Sequence, residues 1–177
     1  MHRLFVAIRP PDFVRDLLLD AMGDSAQFRW QSDEQLHLTL RFAGEIDRHG
    51  ATDLADALAR VRAPRFTARI NGVGSFDHLG GGVLWAAVEP KEQFTALAAK
   101  IERACQRAGL EPERRAFHPH ITLARWNGPR SREAAAFLDG RRNLTSEPFD
   151  VAEFILFESR LSRHGAHYEA AASYPLD

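Results

Sequence analysis

The sequence of 177 residues contains one cysteine, Cys105, so no disulfide can form within the chain. Stability must come from packing, and a reducing compartment is expected. Cys105 falls on the apolar side of a predicted helix, a position that suits inert core packing. No stretch approaches the roughly 18 apolar residues that a membrane-spanning helix needs. The apolar run near the start, Leu4 to Ile8, is shorter than the core of a secretory signal and is halted by Pro10 and Pro11. The expected location is the cytoplasm, with no membrane partner. Excess charge is also lacking, since 23 Lys and Arg stand against 24 Asp and Glu. A global field that would draw nucleic acid is therefore excluded. Arginines cluster locally at Arg62/Arg65/Arg69, Arg114/Arg115, Arg125/Arg130/Arg132 and Arg141/Arg142, mostly as solvated faces. Gly80-Gly81-Gly82 lacks the Lys-Ser/Thr of a phosphate-cradling loop and precedes a strand, so that reading is rejected.

What the chain does contain is one short pattern twice: His37-Leu38-Thr39-Leu40 and His120-Ile121-Thr122-Leu123. Side chains of a strand alternate between faces, so each copy turns an imidazole and a hydroxyl one way and an apolar pair the other. A single copy would carry little, because threonine is common in strands and an isolated histidine is usually a hydrogen-bonded bystander. The two copies, however, belong to a longer repeat. Leu4-Phe5-Val6-Ala7-Ile8-Arg9-Pro10 aligns with Leu84-Trp85-Ala86-Ala87-Val88-Glu89-Pro90 at an offset of 84 − 4 = 80, and the histidines lie 120 − 37 = 83 apart. Each half reads as an apolar strand, a proline at the helix start, an amphipathic helix and a His-x-Thr strand. A duplication of this kind sets the two motifs side by side across one groove. Two imidazoles and two hydroxyls there suit displacement at phosphorus.

The remaining pattern supports an α+β fold. Strands are expected at 3–9, 36–43, 66–71, 83–89, 119–126, 149–158 and 166–173, with helices at 11–22, 48–62, 91–108 and a short one capped by Ser131. Gly72 and Gly74 suggest a bulge, and 77–82 a hairpin turn. The length fits one domain, 1–177, burying roughly two thirds of its unfolded surface. The expected architecture is a duplicated, two-lobed fold in which antiparallel sheets flank a central groove and helices lie outside.

With these motifs placed, the chain resembles the 2H phosphoesterase superfamily, defined by two His-x-Thr/Ser motifs, and within it the bacterial RNA 2′,3′-cyclic phosphodiesterase family, also called 2′-5′ RNA ligase-like. The resemblance rests on Arg3-Leu4-Phe5-Val6-Ala7-Ile8, His37-Leu38-Thr39-Leu40 with Gly44, Leu84-Trp85, Phe117-His118-Pro119-His120-Ile121-Thr122-Leu123-Ala124-Arg125, Phe157-Glu158-Ser159 and Gly165/Tyr168. It implies hydrolysis of a 2′,3′-cyclic phosphate at an RNA end to a 2′-phosphate. RNA ends or cyclic nucleotides are the expected substrates, and a monomer is the expected state. His37 would donate a proton and His120 accept one, although exchanging these roles leaves the residues' own argument intact. Two imidazoles titrating near neutrality divide the proton transfers without a metal or other cofactor. Thr39 and Thr122 would donate to the non-bridging oxygens.

Arg125 poses a question of register. Strict alternation from His120 puts it with Ile121 and Leu123 on the core side, where an unpaired guanidinium is costly. Either the strand has ended there, or the chain twists to bring Arg125 to the phosphate, the role that the resemblance implies; the structural alternative is an ion pair. By the same alternation Arg41 shares the face of His37 and Thr39, and Phe42 belongs to the core. Phe5, Phe42 and Trp126 are the aromatic candidates for stacking a base. A zinc site of His37, His118 and His120 is disfavoured, because it leaves both threonines without a role. Two further readings share these residues: a ligase joining the cyclic phosphate to a 5′-hydroxyl, and a non-catalytic RNA- or nucleotide-binding module.

Overall fold

The computed structural model describes residues 1–130 and 132–177. In chain order the elements are β1 (His2–Ile8), α1 (Asp12–Ala21), β2 (Arg29–Trp30), a 3₁₀ turn (Asp33–Gln35), β3 (Leu38–Ile46), α2 (Arg48–Leu58), β4 (Phe66–His78), β5 (Gly81–Glu89), α3 (Lys91–Arg107), β6 (His120–Asn127), α4 (Arg132–Arg141), β7 (Phe149–Val151), β8 (Glu153–Ser162) and β9 (Gly165–Pro175). Ser131, the expected cap of α4, lies outside the described residues. No helix among the described residues is long and apolar enough to cross a membrane.

The strands form one sheet in the order β7-β4-β5-β6-β3-β1-β8-β9, with β2 attached to β6. Every pairing is antiparallel. The centre is the β3–β6 junction, held by a single register pair, Leu38 with Ile121. Read outward from it, β3-β1-β8-β9 and β6-β5-β4-β7 are matching series, which are the two expected lobes. All four helices contribute to one continuous core on one face of the sheet, including Val14, Leu18, Leu54, Leu58, Phe94, Ile101 and Phe137. A smaller cluster, Phe5, Ala7, Ile155 and Phe157 with Tyr168 against it, covers part of the other face. β1 contributes to both clusters, as an unbroken apolar run in a central strand should.

Register corrects the expected offset of the repeat. Ala7 lies opposite Thr39 and Trp85 opposite Thr122, so the equivalent residues are 85 − 7 = 78 apart. A slip of two residues keeps every side chain on its own face, which is why the apolar pattern alone did not expose it.

Both motif strands carry a bulge at the same place. Partners step from Ala7–Thr39 to Val6–Arg41, leaving Leu40 unpaired, and from Trp85–Thr122 to Leu84–Ala124, leaving Leu123 unpaired. An extra residue reverses the face of everything beyond it. Arg41 is consequently not on the groove face. It is 8% exposed, ion-paired with Glu102 of α3, and donates to the backbone carbonyls of Phe42 and Glu111. Phe42, expected in the core, is instead 52% exposed on the groove side, with its ring centroid 6.0 Å from that of Phe5. A second shift lets β3 run past Gly44, whose φ of +79° suits glycine, to Ile46.

Candidate active site

His37 stands immediately before β3 and His120 is the first residue of β6. Each ring is anchored in the same way. Nδ1 of His37 donates to the carbonyl of Gln35 at 2.7 Å, and Nδ1 of His120 donates to the carbonyl of His118 at 2.6 Å. A carbonyl only accepts, so the Nδ1 proton is fixed and Nε2 of each imidazole is left for chemistry. Nε2 of neutral His37 accepts from the Thr39 hydroxyl at 2.9 Å. The anchoring carbonyl of Gln35 is itself held: the Gln35 side chain accepts from the Ser32 backbone N–H at 3.0 Å and donates to the carbonyl of Ala166 in β9 at 2.9 Å. By the Leu38–Ile121 register, His37 is level with Thr122 and Thr39 with His120 across the junction.

Aromatic rings wall each imidazole. Phe5 and Tyr168 lie 4.9 and 5.3 Å from His37, Tyr168 edge-on. Phe76 and Trp85 lie 5.0 and 6.0 Å from His120. These walls strip water from the rings and set their titration. Burial pushes His37 down to about 4, despite its hydrogen bond to Gln35, and the charges of His120, Arg125 and Arg9 add to the effect. His120 is also lowered, chiefly by burial and then by Arg125 and His118. Both shifts favour the neutral imidazole in the free site at neutral pH.

The structure brings His37, His120, Thr39 and Thr122 to the junction of the lobes and resolves the position of Arg125. The bulge at Leu123 turns Arg125 outward, onto the face of His120 and Thr122, while its neighbours Ala124 and Trp126 are buried. Its charge is felt by His37, His120 and Tyr168. No carboxylate pairs with Arg125 among the described residues, which removes the structural ion-pair alternative. Trp126 is buried and Phe5 is 3% exposed, so neither presents a free face to a base. Among the described residues no three His, Cys, Asp or Glu side chains converge as a metal site, and His118 lies beside Phe76. Sequence reasoning passed over Tyr168 and Trp85 as site walls, although both stood among the landmarks of the resemblance. Phe76 gave no signal, because it lies beyond the Gly72 bulge in β4.

Two clefts lie away from the histidines. One, of about 690 Å³, is lined by Arg69, Asn71, Glu89 and Pro148, and the other, of about 590 Å³, by Arg41, Glu111 and Glu113. Their central arginines are already paired with Glu89 and Glu102.

Known proteins resemble this chain in sequence and in fold. The model of the 2′-5′ RNA ligase superfamily matches residues 10–163. The RNA 2′,3′-cyclic phosphodiesterase of Thermus thermophilus is 34% identical over 186 residues, covering 98% of this chain and 90% of the relative. That of Aeropyrum pernix is 32% identical over 140 residues, covering 77% and 80%. The crystal structure of E. coli LigT complexed with 3′-AMP superposes with a TM-score of 0.80 at 26% identity, covering 99% of this chain and 98% of that one.

Proposed function

The chain belongs to the 2′-5′ RNA ligase superfamily, and from that premise we propose that it hydrolyses the 2′,3′-cyclic phosphate ends of RNA to 2′-phosphates, the activity for which its Thermus thermophilus and Aeropyrum pernix relatives are named. The observation that carries this reading is the pair of imidazoles at the junction, each with Nδ1 tied to the carbonyl two residues earlier, which leaves Nε2 as the nitrogen that can exchange a proton.

A water oxygen attacks phosphorus and gives its proton to Nε2 of one histidine. The bond from phosphorus to O3′ breaks, and O3′ takes the proton held on Nε2 of the other. The products are a 2′-phosphate and a 3′-hydroxyl, and exchange with solvent returns the protons to their starting places. The order implied by the family resemblance makes His37 the donor and His120 the acceptor. Because burial leaves His37 neutral in the free site, the donor must be charged by the substrate: the cyclic phosphate anion raises both imidazoles as it enters. Thr39, Thr122 and Arg125 donate to the non-bridging oxygens, where charge accumulates during attack. The proton transfers and the charge stabilisation are all supplied by side chains, so the proposed reaction is metal-independent.

We read residues 1–177 as one catalytic unit acting as a cytoplasmic monomer. Both imidazoles come from the same chain, and the buried thiol of Cys105 is held up at about 11 by desolvation, a form suited to remaining reduced and inert. The test is incubation of an RNA oligonucleotide ending in 2′,3′-cyclic phosphate, with and without EDTA and with added 5′-hydroxyl RNA. EDTA-resistant formation of a 2′-phosphomonoester is expected. A joined 2′-5′ product would make the chain a ligase, and no turnover would leave a binding module.

A further inference from the structure

β2 is only two residues long, yet it brings a second arginine to the groove. Arg29 lies directly opposite Arg125, and Trp30 opposite Ala124. The Trp30 ring packs into the core, 5.4 Å from Phe28 and 5.5 Å from Phe137. Alternation therefore turns Arg29 to the other face of the sheet, the face that carries Arg125, Thr122 and His120. Both arginines are exposed. Directly opposed residues of an antiparallel pair have Cβ atoms about 4.5–5.5 Å apart, and like charges there repel.

Several other arginines on or beside this sheet are paired: Arg69 with Glu89, Arg130 with Asp77 and Arg160 with Glu158 and Glu169, while Arg3 of β1 has no ion pair among the described residues and no second arginine directly opposite it. Among the described residues neither Arg29 nor Arg125 has a carboxylate partner. Two opposed guanidiniums without a counter-charge are the surface that an anion covers best, since each presents several N–H donors suited to phosphate oxygens. Arg29 and Arg125 stand at one level of the sheet, beyond the level that Thr122 shares with His37, so an anion held by both arginines is the next one along the groove from the reacting phosphorus.

We propose that Arg29 and Arg125 form a second phosphate subsite, which holds the phosphodiester on the 5′ side of the terminal nucleotide. This inference rests on the cyclic phosphodiesterase reading. It makes the preferred substrate a nucleotide that carries both a 2′,3′-cyclic phosphate and a 5′-phosphate, as every RNA end does, over a free nucleoside 2′,3′-cyclic phosphate.

The test compares kcat/KM for cytidine 2′,3′-cyclic phosphate with that for the same molecule bearing a 5′-phosphate, in wild type, Arg29→Gln and Arg29→Lys. Wild type is expected to favour the 5′-phosphorylated substrate at least tenfold at low salt, with the preference shrinking as salt rises. Arg29→Gln should bring the preference close to one while leaving turnover of the unphosphorylated substrate unchanged, and Arg29→Lys should restore part of it. Equal use of both substrates by wild type, or a preference that survives in Arg29→Gln, overturns the subsite. Failure of wild type to hydrolyse either cyclic phosphate overturns the cyclic phosphodiesterase reading instead.

Discussion

The hydroxyl of Thr39 donates to Nε2 of His37 at 2.9 Å, on an imidazole whose other nitrogen is committed to the Gln35 carbonyl. The direction of that hydroxyl is therefore tied to the charge on the ring. When Nε2 takes a proton it stops accepting, and the Thr39 O–H is released to find another acceptor. A phosphate oxygen is such an acceptor, and the phosphate is also what brings the proton to His37. On the proposed mechanism, binding, protonation and donation by Thr39 are therefore one linked event.

Thr39→Val removes the donor while keeping the shape of the side chain. Loss of a preorganised donor to the developing charge should lower kcat for a cyclic phosphate substrate about a hundredfold. Thr39→Ser should recover most of it. A steady-state comparison of the three proteins checks this, and unchanged turnover in Thr39→Val would remove Thr39 from the site.

Anion binding should carry proton uptake. Both imidazoles are depressed by burial, His37 to about 4, and an anion between them raises both. Affinity for sulfate, which does not itself titrate near neutrality, should therefore rise as pH falls from 8 toward 5, approaching tenfold per pH unit for each proton taken up. Calorimetry in two buffers of different ionisation heat measures the uptake directly. It should vanish in the His37→Ala/His120→Ala double variant.

Stability should also record the buried, neutral His37. Its pKa is lowered from 6.5 to about 4 in the folded state. The unfolded chain binds more protons between these values, so folding weakens as pH falls through that window and the effect saturates below pH 4. At 1.36 kcal/mol per pKa unit the loss from this one residue is about 3 kcal/mol. Carboxylates held low by hydrogen bonds, such as Glu102 and Glu113, also lose stability in acid. The diagnostic measurement is therefore the difference in urea unfolding between wild type and His37→Asn at pH 7 and pH 4.5. That difference should shift in favour of the variant at the lower pH.

Gly74 supports the wall behind His120. A Cβ placed there would come within 2.4 Å of the Trp85 indole, and Trp85 lies 6.0 Å from the His120 ring. Gly74→Ala should displace the indole, cost about 1–3 kcal/mol by overpacking, and reduce turnover more than substrate affinity. Thermal melts and kinetics on the same preparation check both effects. Full activity in a folded Gly74→Ala protein would mean that the Trp85 wall does not position His120.

The sequence made the duplication, the two motif strands and the helices with strong apolar stripes legible because periodicity is a local property. The face of a residue beyond a bulge is not local. Leu40 and Leu123 look like ordinary inward residues, yet each is the extra residue of its strand. From that point Arg41 exchanges faces with Phe42, and Arg125 turns out of the core. The same limit applies to the end of the chain. The apolar stretch expected as one strand at 149–158 is divided between β7, which pairs with β4, and β8, which pairs with β1. A change of partner leaves no mark in composition. Arg29 escaped notice for a related reason, since a two-residue strand has no period to read.

The proposed mechanism requires the two imidazoles to act as one unit, and a double-mutant cycle tests that most directly. Turnover of an RNA 2′,3′-cyclic phosphate end is measured for wild type, His37→Ala, His120→Ala and the double variant. Each single change should reduce kcat by about 10²–10⁴-fold, and the double change by little more than either, because a site that has lost one proton-transfer partner has little left to lose. A single variant that keeps wild-type turnover would contradict the two-histidine mechanism.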